Sequence, residues 1–293
     1  MKRILIAGCG YVGMELARRL VAQDGVEVLA LRRDTNALRS DSTALGSRLT
    51  PLACDLASDA AIETKLPDDI EAVVYALGAD EHTPEAYERA YVRSLDRLLE
   101  ALARKHRLPR RLVFVSSTAV YAQNDGGWVD ETSETAPTEF SGRTLLRAET
   151  LARSAGSESI VVRFGGIYGP GRTRFVDSVK RGSIRLGAGP EYTNRIHRDD
   201  CAAVLRYLFY LEAPESLYIG VDDEPADRRL VSEWIARRVG VELAPKGAAS
   251  GTNAASDTPS RGKRCANRRL RETGYSFLYP TFREGYSALI ELH

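Results

Sequence analysis

The chain has 293 residues, of which 41 are basic and 40 are acidic, so its formal net charge at pH 7 is +1. This balance gives no overall electrostatic attraction to nucleic acid or to an anionic membrane, and we expect neither as a partner. The length is sufficient for one large α/β domain with an appended lobe.

The cysteines and the N-terminal residues bear on metal binding and on the cellular compartment. The four cysteines are Cys9, Cys54, Cys201 and Cys265. They form no C-x-x-C pair and no cluster with histidine, which argues against a zinc site and a disulfide framework. The apolar run after Lys2 and Arg3 ends at Gly8 and is too short for a signal peptide, and no stretch could span a bilayer. We expect a cytoplasmic protein without a metal ion.

A glycine-rich turn near the N-terminus joins a short apolar strand, residues 4–7, to a segment with helical spacing of its apolar residues. The turn comprises Gly8, Cys9, Gly10, Tyr11, Val12 and Gly13. Gly8 permits a tight turn, Gly10 lets the backbone approach a pyrophosphate, and Gly13 lets the helix pack on its strand. A second apolar strand follows at residues 26–31. The pattern predicts a βαβ unit that binds a dinucleotide through this turn, rather than a purely structural glycine turn.

The residues after the second strand indicate which dinucleotide is bound. An acidic side chain at this point accepts hydrogen bonds from the ribose of NAD, whereas arginine accommodates the 2′-phosphate of NADP. Here Arg32 and Arg33 come first and Asp34 only after them. The sequence therefore favours NADP over NAD, although both arginines could also be solvated charges at a strand end.

Predicted strands and helices alternate along most of the chain. Strands are predicted at 4–7, 26–31, 49–56, 71–78, 111–117, 159–164 and 217–220. Helices are predicted at 12–21, 62–66, 84–106, 139–155, 175–180 and 230–239, and one further helix, with Asp199 or Asp200 as its N-cap, extends to Leu211. The small polar residues at 247–262 predict a mobile loop.

This alternation predicts an α/β protein with a doubly wound parallel Rossmann sheet and a smaller C-terminal substrate-binding lobe. We expect the Rossmann domain at 1–164, with 193–220 returning to it, and the lobe at 165–192 and 221–293. Ligands of such sheets bind at the carboxyl ends of the strands. Asp55 and Leu56 should therefore lie beside the adenine. The expected cofactor contacts at the carboxyl end of the fourth strand are Ala76, Leu77 and Gly78.

Six segments in this order resemble the extended short-chain dehydrogenase/reductase superfamily, of the NAD-dependent epimerase/dehydratase type. They are GCGYVG at 8–13, CDL at 54–56, SSTAVY at 116–121, RFGGIYGPG at 163–171, IHRDD at 196–200 and LRETGY at 270–275. The short glycine loop, with KRCAN at 263–267 and YPTFREGY at 279–286, is similar to an atypical bacterial subgroup of NADP-binding proteins.

The resemblance implies a catalytic Ser or Thr, a Tyr that exchanges a proton with the substrate hydroxyl, and a Lys that lowers the pKa of the tyrosine. Ser117 occupies the serine position, four residues before Tyr121. Ser141 stands where the tyrosine belongs and Leu145 where the lysine belongs. None of the chain's lysines has a tyrosine four residues earlier. The standard acid/base relay therefore cannot operate, and the catalytic candidates are Ser117, Tyr121 and Ser141.

Other side chains could supply the missing proton donor. The candidates expected near the nicotinamide end are Tyr87, Tyr91, His82, Tyr121, Tyr168 and His197. Tyr121 and Tyr168 recur in relatives with an intact Tyr-Lys pair, which favours structural or substrate-lining roles for them. His82 could simply be solvated, and His197 could pack in the core instead of touching substrate. Thr118 and Ala119 replace the Asp-Glu pair of the family's dehydratases, which argues against a 4,6-dehydratase.

The remaining charged feature is a basic run at 261–271. Guanidinium groups suit phosphates, so this run could bind a substrate diphosphate, but it could also be a solvated helix face. The predicted substrate contacts are His197, Tyr168, Arg172 and Arg264.

Two functions are consistent with this sequence. One is an NADP-binding oxidoreductase or epimerase for a small, nucleotide-sugar or phosphorylated substrate, with a non-standard acid/base site. The other is a non-catalytic NADP(H)-binding regulatory or sensor protein.

A homodimer through the helices at 84–105 and 139–155 is compatible with Leu95, Leu99 and Leu102, which burial on the chain's own sheet would explain equally well. The sequence leaves the substrate itself open.

Overall fold

The computed structural model describes residues 3–105, 108–156, 158–243 and 259–291. Most of the loop predicted at 247–262, namely residues 247–258, lies outside these ranges. The described strands are β1 (Arg3–Ala7), β2 (Glu27–Arg32), β3 (Leu49–Ala53), β4 (Ile70–Tyr75), β5 (Arg111–Ser117), β6 (Trp128–Val129), β7 (Glu158–Phe164), β8 (Gly166–Tyr168), β9 (Glu191–Thr193), β10 (Arg195–His197), β11 (Leu217–Gly220), β12 (Ala226–Asp227), β13 (Arg261–Gly262) and β14 (Arg264–Cys265).

Helices connect most of these strands. They are α1 (Tyr11–Asp24), α2 (Arg39–Leu45), α3 (Ile62–Lys65), α4 (Pro84–Tyr87), α5 (Ser94–Arg104), α6 (Phe140–Arg153), α7 (Arg174–Lys180), α8 (Arg198–Tyr210), α9 (Arg228–Val239), α10 (Arg268–Glu272) and α11 (Phe282–Glu291). Short 3₁₀ turns occupy Asn36–Leu38, Gly46–Arg48 and Thr118–Val120, and a π-helical segment occupies Glu88–Arg93.

Seven strands form the central sheet in the order β11-β7-β5-β4-β1-β2-β3. The pairs β1–β2, β1–β4, β2–β3 and β4–β5 run parallel. Ile4, Leu5 and Ile6 are all fully buried, as expected for a strand with helices on both of its faces. From β1 the chain adds β2 and β3 on one side of the sheet and then β4 and β5 on the other. Such sheets bind ligands at the point between β1 and β4 where the strand order reverses. The predicted Rossmann sheet is confirmed.

The chain divides into two compact units. Unit 1 comprises Met1–Val120, Thr135–Arg163 and Cys201–Tyr218, and unit 2 comprises Tyr121–Glu134, Phe164–Asp200 and Ile219–His293. In unit 1, the sheet residues Tyr75 and Phe114 stack with their ring centroids 5.7 Å apart. The core of unit 2 has its own apolar side chains, which include Val176, Val231, Ile235, Phe282 and Leu289.

Helix α5 shows how sequence spacing produces burial in unit 1. Leucines recur at positions 95, 98, 99 and 102, which lie on one helix face. All of them are buried in the core of unit 1, with Leu95 and Leu98 fully inaccessible. Burial within the chain therefore accounts for these leucines, and the predicted homodimer stays a prediction.

The helix predicted at 84–106 is interrupted by the π-helical segment between α4 and α5. Thr83 caps its start by accepting a hydrogen bond from Ala86 N at 3.2 Å, and Pro84 follows at the first helical position. The π-helical segment has only 6 residues, which is too short a stretch for its wider turn to be recognised in the spacing of apolar residues. π-Helical turns occur frequently at functional sites.

The prediction that Asp199 or Asp200 caps α8 is wrong. The helix begins at Arg198, so both aspartates lie in its first turn. Asp200 is fully buried and accepts hydrogen bonds from the backbone N–H groups of Leu278 at 2.7 Å and Tyr279 at 2.9 Å. Its carboxylate therefore anchors the segment before α11 instead of capping its own helix.

A buried carboxylate links α6 to two strands of unit 1. Glu149 is fully inaccessible and accepts a hydrogen bond from Ser116 Oγ at 2.7 Å. Arg163 Nε and Nη2 donate to its two oxygens at 2.9 and 2.7 Å. This fork-to-fork pair joins α6 to β7, while Ser116 joins it to β5.

We expect Glu149→Ala to lower the free energy of unfolding by about 3 to 5 kcal/mol, because it leaves the buried Arg163 guanidinium without its counter-charge. Glu100→Ala is the matched control. Glu100 pairs with Arg104 at the surface, 3.3 Å away, and such a pair contributes less than about 1 kcal/mol. Urea unfolding measures both variants, and equal costs for the two would contradict the structural role of Glu149.

Candidate functional site

The glycine loop of unit 1 packs too closely for side chains at two of its glycines. Gly8 has a φ of +91°, and a Cβ atom there would lie 2.5 Å from Leu77 Cα. A Cβ at Gly13 would lie 2.6 Å from the carbonyl oxygen of Gly8. At Gly10, by contrast, the nearest atom is the Gly8 oxygen at 4.0 Å. Gly8 and Gly13 therefore have no room for a side chain, whereas the space next to Gly10 is open.

Helix α1 starts directly after this opening. Among the described residues, no side chain caps it at Gly10, and its first turn carries no acidic residue. Tyr11 and Val12 begin the helix, and the Val12 side chain is buried. The Cys9 thiol is also buried, 3.9 Å from Met14 Sδ, and burial raises its pKa to about 12. The loop thus presents backbone and the positive end of a helix, which is the arrangement that suits a phosphate group.

Arg32 and Arg33 stand at the end of β2, as predicted, but they have different partners. Arg32 Nη1 lies 3.5 Å from the Cys9 carbonyl oxygen. Arg33 forms a bidentate ion pair with Asp80, with Nη1–Oδ2 and Nη2–Oδ1 distances of 2.8 and 2.5 Å. Arg89 Nη2 approaches the same carboxylate at 3.2 Å. Hydrogen bonding to Arg33 and the charges of both arginines lower the pKa of Asp80. Sequence reasoning missed Asp80.

The other predicted cofactor contacts of unit 1 lie after β3 and β4. Asp55 Oδ1 accepts a hydrogen bond from Ala57 N at 3.0 Å, which fixes the turn after β3. The side chain of Leu56 is buried in the core. Ala76 and Leu77 are half-buried and Gly78 is exposed, with no atom within 4 Å of a Cβ placed there. This part of the edge is open at Gly78.

The positions of the missing catalytic pair lie in the first two turns of α6. Ser141 is 8% exposed and Leu145 is 3% exposed, so both side chains are largely shielded from solvent. Ser117 is half-buried, and its Oγ accepts a hydrogen bond from Ala119 N at 3.2 Å. Unit 1 thus has Ser117 at the position predicted for the catalytic serine, but Ser141 and Leu145 place no carboxylate, amine or phenol at positions 141 and 145.

An aromatic cluster of unit 1 surrounds Phe140, the residue before Ser141. The rings of His82 and Tyr87 lie 4.9 and 5.3 Å from that of Phe140. His82 Nδ1 is 3.3 Å from the Tyr87 hydroxyl. Tyr91 packs on Tyr87 at 5.2 Å, and burial raises its pKa. Three of the predicted proton-donor candidates therefore lie together beside the start of α6.

Tyr121 belongs to unit 2 and has structural contacts. Its side chain is 2% exposed, and its hydroxyl donates a hydrogen bond to the Asp130 carbonyl at 2.8 Å. Lys263 Nζ donates to the backbone carbonyl of Tyr121 at 2.7 Å, and burial lowers the pKa of Lys263. These contacts hold residues 121–130 in place and favour the structural role of Tyr121.

Tyr168 and His197 pack in unit 2. Tyr168 is 6% exposed, and its ring lies 4.6 Å from that of Tyr286 and 5.4 Å from that of His197. The His197 ring lies 4.0 Å from that of Tyr279. A Cβ at Gly285 would lie 2.6 Å from Tyr168 Cζ, so the glycine makes room for this tyrosine. Burial raises the pKa of Tyr168 strongly, which makes it a poor proton donor.

Among the buried polar atoms of unit 2 that have no hydrogen-bond partner within the described part of the chain are Tyr168 Oη, Arg195 Nη1 and Asp222 Oδ2. The Arg195 charge favours ionisation of Asp222, but burial outweighs it and raises the pKa of this carboxyl to about 8. Sequence reasoning missed Arg195 and Asp222, because neither falls in a recognisable motif.

The two predicted substrate arginines differ in exposure. Arg172 is exposed in the turn after β8, where its N–H donates to the Gly169 carbonyl at 2.9 Å. The Arg264 guanidinium lies between two rings, 4.7 Å from that of Tyr192 and 5.2 Å from that of Trp128. Arg264 Nε also donates to the Gly126 carbonyl at 2.7 Å. Arg264 thus stabilises the β6–β14 region.

Comparison with known proteins gives the family. The model of the NAD dependent epimerase/dehydratase family matches residues 4–215. This chain belongs to that family. Protein YeeZ of Escherichia coli K12 is 29% identical over 96% of this chain and 97% of its own length. A structure from Methylobacillus flagellatus, provisionally assigned as an NAD-dependent epimerase/dehydratase, is 35% identical, with a TM-score of 0.79 and coverage of 99% and 98% of the two chains.

A structure of lower sequence identity shares the fold. The UDP-glucuronic acid 4-epimerase of Bacillus cereus, in a complex with NAD, has a TM-score of 0.78 at 18% identity, with 99% of each chain covered.

Within the described residues of the present chain, every helix is too short or too polar to span a membrane. The same residues contain no group of three or more His, Cys, Asp or Glu side chains that could hold a metal ion.

The buried Asp222 predicts a pH dependence of stability in this family member. Between the ordinary aspartate pKa and about pH 8, the folded chain keeps a proton that the unfolded chain releases. The resulting stabilisation is complete below the ordinary pKa and is lost as the pH rises through about 8. We expect wild type to lose more stability than Asp222→Asn in urea unfolding from acidic pH to this value, after which the two curves run parallel. Parallel curves throughout would contradict the prediction.

Proposed function

We propose that this protein binds NADP(H) and acts as an oxidoreductase or epimerase on a small nucleotide-sugar or otherwise phosphorylated substrate, with its acid/base group displaced from the usual position. The observation that carries the proposal is the glycine loop that is open only above Gly10, next to an uncapped helix start and two arginines at the end of β2. Family membership and the 35% identical structure support the reaction class.

The residues of unit 1 fit the cofactor. The opening above Gly10 and the N-terminus of α1 would hold the pyrophosphate, since both present backbone and a positive dipole end. Arg33, whose side chain is 56% exposed, would reach the adenosine 2′-phosphate. When bound, NADP(H) supplies or accepts a hydride at C4 of its nicotinamide. The protein's own part is to orient the substrate and to move a proton.

The pair formed by His82 and Tyr87 is our candidate for that proton transfer. The two polar atoms are 3.3 Å apart, so an imidazole could take up the proton that a tyrosine hydroxyl exchanges with a substrate. This replaces the family logic of a tyrosine assisted by a lysine. Ser117, four residues before Tyr121, would orient the substrate oxygen.

A second candidate function is a non-catalytic NADP(H)-binding regulator. The observation in its favour is that Ser141 and Leu145 are both buried, so no ionisable group stands where the family keeps its catalytic pair. The two functions differ in one measurement. Hydride transfer from NADPH, or to NADP⁺ from a panel of UDP-sugars, supports the enzyme, whereas cofactor binding without any transfer supports the regulator.

The variant Gly10→Ala should weaken cofactor binding without affecting folding. A Cβ atom at this position fills the space over the loop without touching the protein, so we expect the affinity for NADPH to fall at least about tenfold while the thermal midpoint stays near that of wild type. Gly187→Ala also adds a Cβ in open space and should change neither. Fluorescence titration with NADPH measures the affinities. Unchanged NADPH binding in Gly10→Ala would contradict the proposed cofactor site.

Replacement of the displaced acid/base pair should affect turnover and leave binding intact. We expect Tyr87→Phe and His82→Gln each to lower the turnover number about a hundredfold or more, with NADPH affinity unchanged. Ser141→Ala is the comparison, because Ser141 is buried and cannot titrate near neutrality. Full activity in Tyr87→Phe together with its loss in Ser141→Ala would overturn the assignment.

A further inference from the structure

The ion pair between Arg33 and Asp80 bears on the choice between NADP and NAD. We propose that Asp80 is a specificity-determining residue that competes with the adenosine 2′-phosphate for the Arg33 guanidinium. The inference rests on the proposed function, since it assumes that the dinucleotide binds along the ends of β1, β2 and β4.

The topology brings the two side chains together. Strands β2 and β4 flank β1 in the sheet, and both run parallel to it. Arg33 directly follows β2, and Asp80 comes five residues after the end of β4. Their side chains therefore meet across the carboxyl end of β1, at the edge where the glycine loop opens.

The geometry of the pair is the one that a phosphate would use. Both terminal nitrogens of Arg33 point at Asp80 oxygens, at 2.8 and 2.5 Å. A guanidinium binds a carboxylate or a phosphate through the same planar fork of donors. A 2′-phosphate can therefore use this fork only after the carboxylate has left it. If the carboxylate stays nearby, it also repels the phosphate charge.

Arg89 offers the Asp80 carboxylate a second partner, which lowers the free-energy cost of releasing Arg33. Its Nη2 is already 3.2 Å from Asp80 Oδ2, so the carboxylate can turn to Arg89 when it leaves Arg33. All three side chains are close to half-exposed, with fractions of 56%, 45% and 50% for Arg33, Asp80 and Arg89. Exposed pairs of this kind contribute little and are weakened by salt. Asp80 thus moderates NADP(H) binding and does not prevent it.

The variant Asp80→Asn removes the competing charge while keeping the size of the side chain. We expect it to raise the affinity for NADPH about two- to fivefold at low ionic strength, with a smaller gain at high salt, and to leave NADH affinity unchanged. The fragments 2′,5′-ADP and 5′-AMP should repeat this pattern, because they differ in the 2′-phosphate and lack the nicotinamide.

The chain offers a matched control on the same strand. Asp69 immediately precedes β4 at the opposite end from Asp80, and it pairs with Arg3 at 2.5 Å. Asp69→Asn makes the same change in charge at the far edge of the sheet and should alter no affinity. In an Arg33→Ala background, Asp80→Asn should also lose its effect, which shows that the two residues act together.

Titration of wild type and these variants with NADPH and NADH distinguishes the possible outcomes. If Asp80→Asn lowers NADPH affinity, Asp80 positions Arg33 for the phosphate and the inference fails. If it lowers NADH affinity, Asp80 binds the ribose and the inference also fails. If the ratio of NADPH affinity to NADH affinity in Asp80→Asn equals the ratio in Asp69→Asn, the inference fails but the proposed function stands. If wild type binds neither dinucleotide, both fall together.

Discussion

The close approach of β4 to the turn after β1 is the constraint on which the candidate cofactor site depends. Because a Cβ at Gly8 would lie 2.5 Å from Leu77 Cα, only glycine lets the turn pass over the end of β4. Its φ of +91° is also one that other residues rarely adopt. At Gly10, which begins the approach to α1, a Cβ would by contrast have no atom nearer than 4.0 Å. The close approach also brings the end of β4 near the end of β2, so that Asp80 and Arg33 can meet.

The same unit has the family's scaffold, but Ser141 and Leu145 stand where the family resemblance predicts a tyrosine and a lysine. Glu149 still joins α6 to its strands through Ser116 and Arg163, so the helix that would carry the pair keeps its place. The change is therefore local to residues 141 and 145. An acid/base group can move in such a setting, because the chemistry requires a proton donor within reach of the substrate and not a particular helix position. Aromatic and imidazole groups next to Phe140 meet the requirement of proximity to this helix start.

The sheet, the glycine loop and the helix faces could be predicted from sequence because they depend on local patterns. Strand β5 and strand β11 agree with their predicted bounds, and the apolar spacing of α1 corresponds to its buried face. The π-helical segment could not be predicted, since its 6 residues are too few to reveal a different periodicity. The Arg33–Asp80 pair could not be found either, because it joins exposed charges 47 positions apart. Asp200 was misassigned as a cap because its partners, Leu278 and Tyr279, are distant in sequence.

In unit 2, three of the predicted substrate residues differ in how firmly the fold holds their side chains. Tyr168, in the RFGGIYGPG segment at 163–171, lies against Gly285 and Tyr286 in the core, so packing accounts for its position. The Arg264 guanidinium lies between two rings and donates a hydrogen bond to a backbone carbonyl, so these contacts hold it in the fold. Arg172, by contrast, remains exposed. Of the two arginines predicted to contact substrate, Arg172 is therefore the one whose side chain is accessible from solvent.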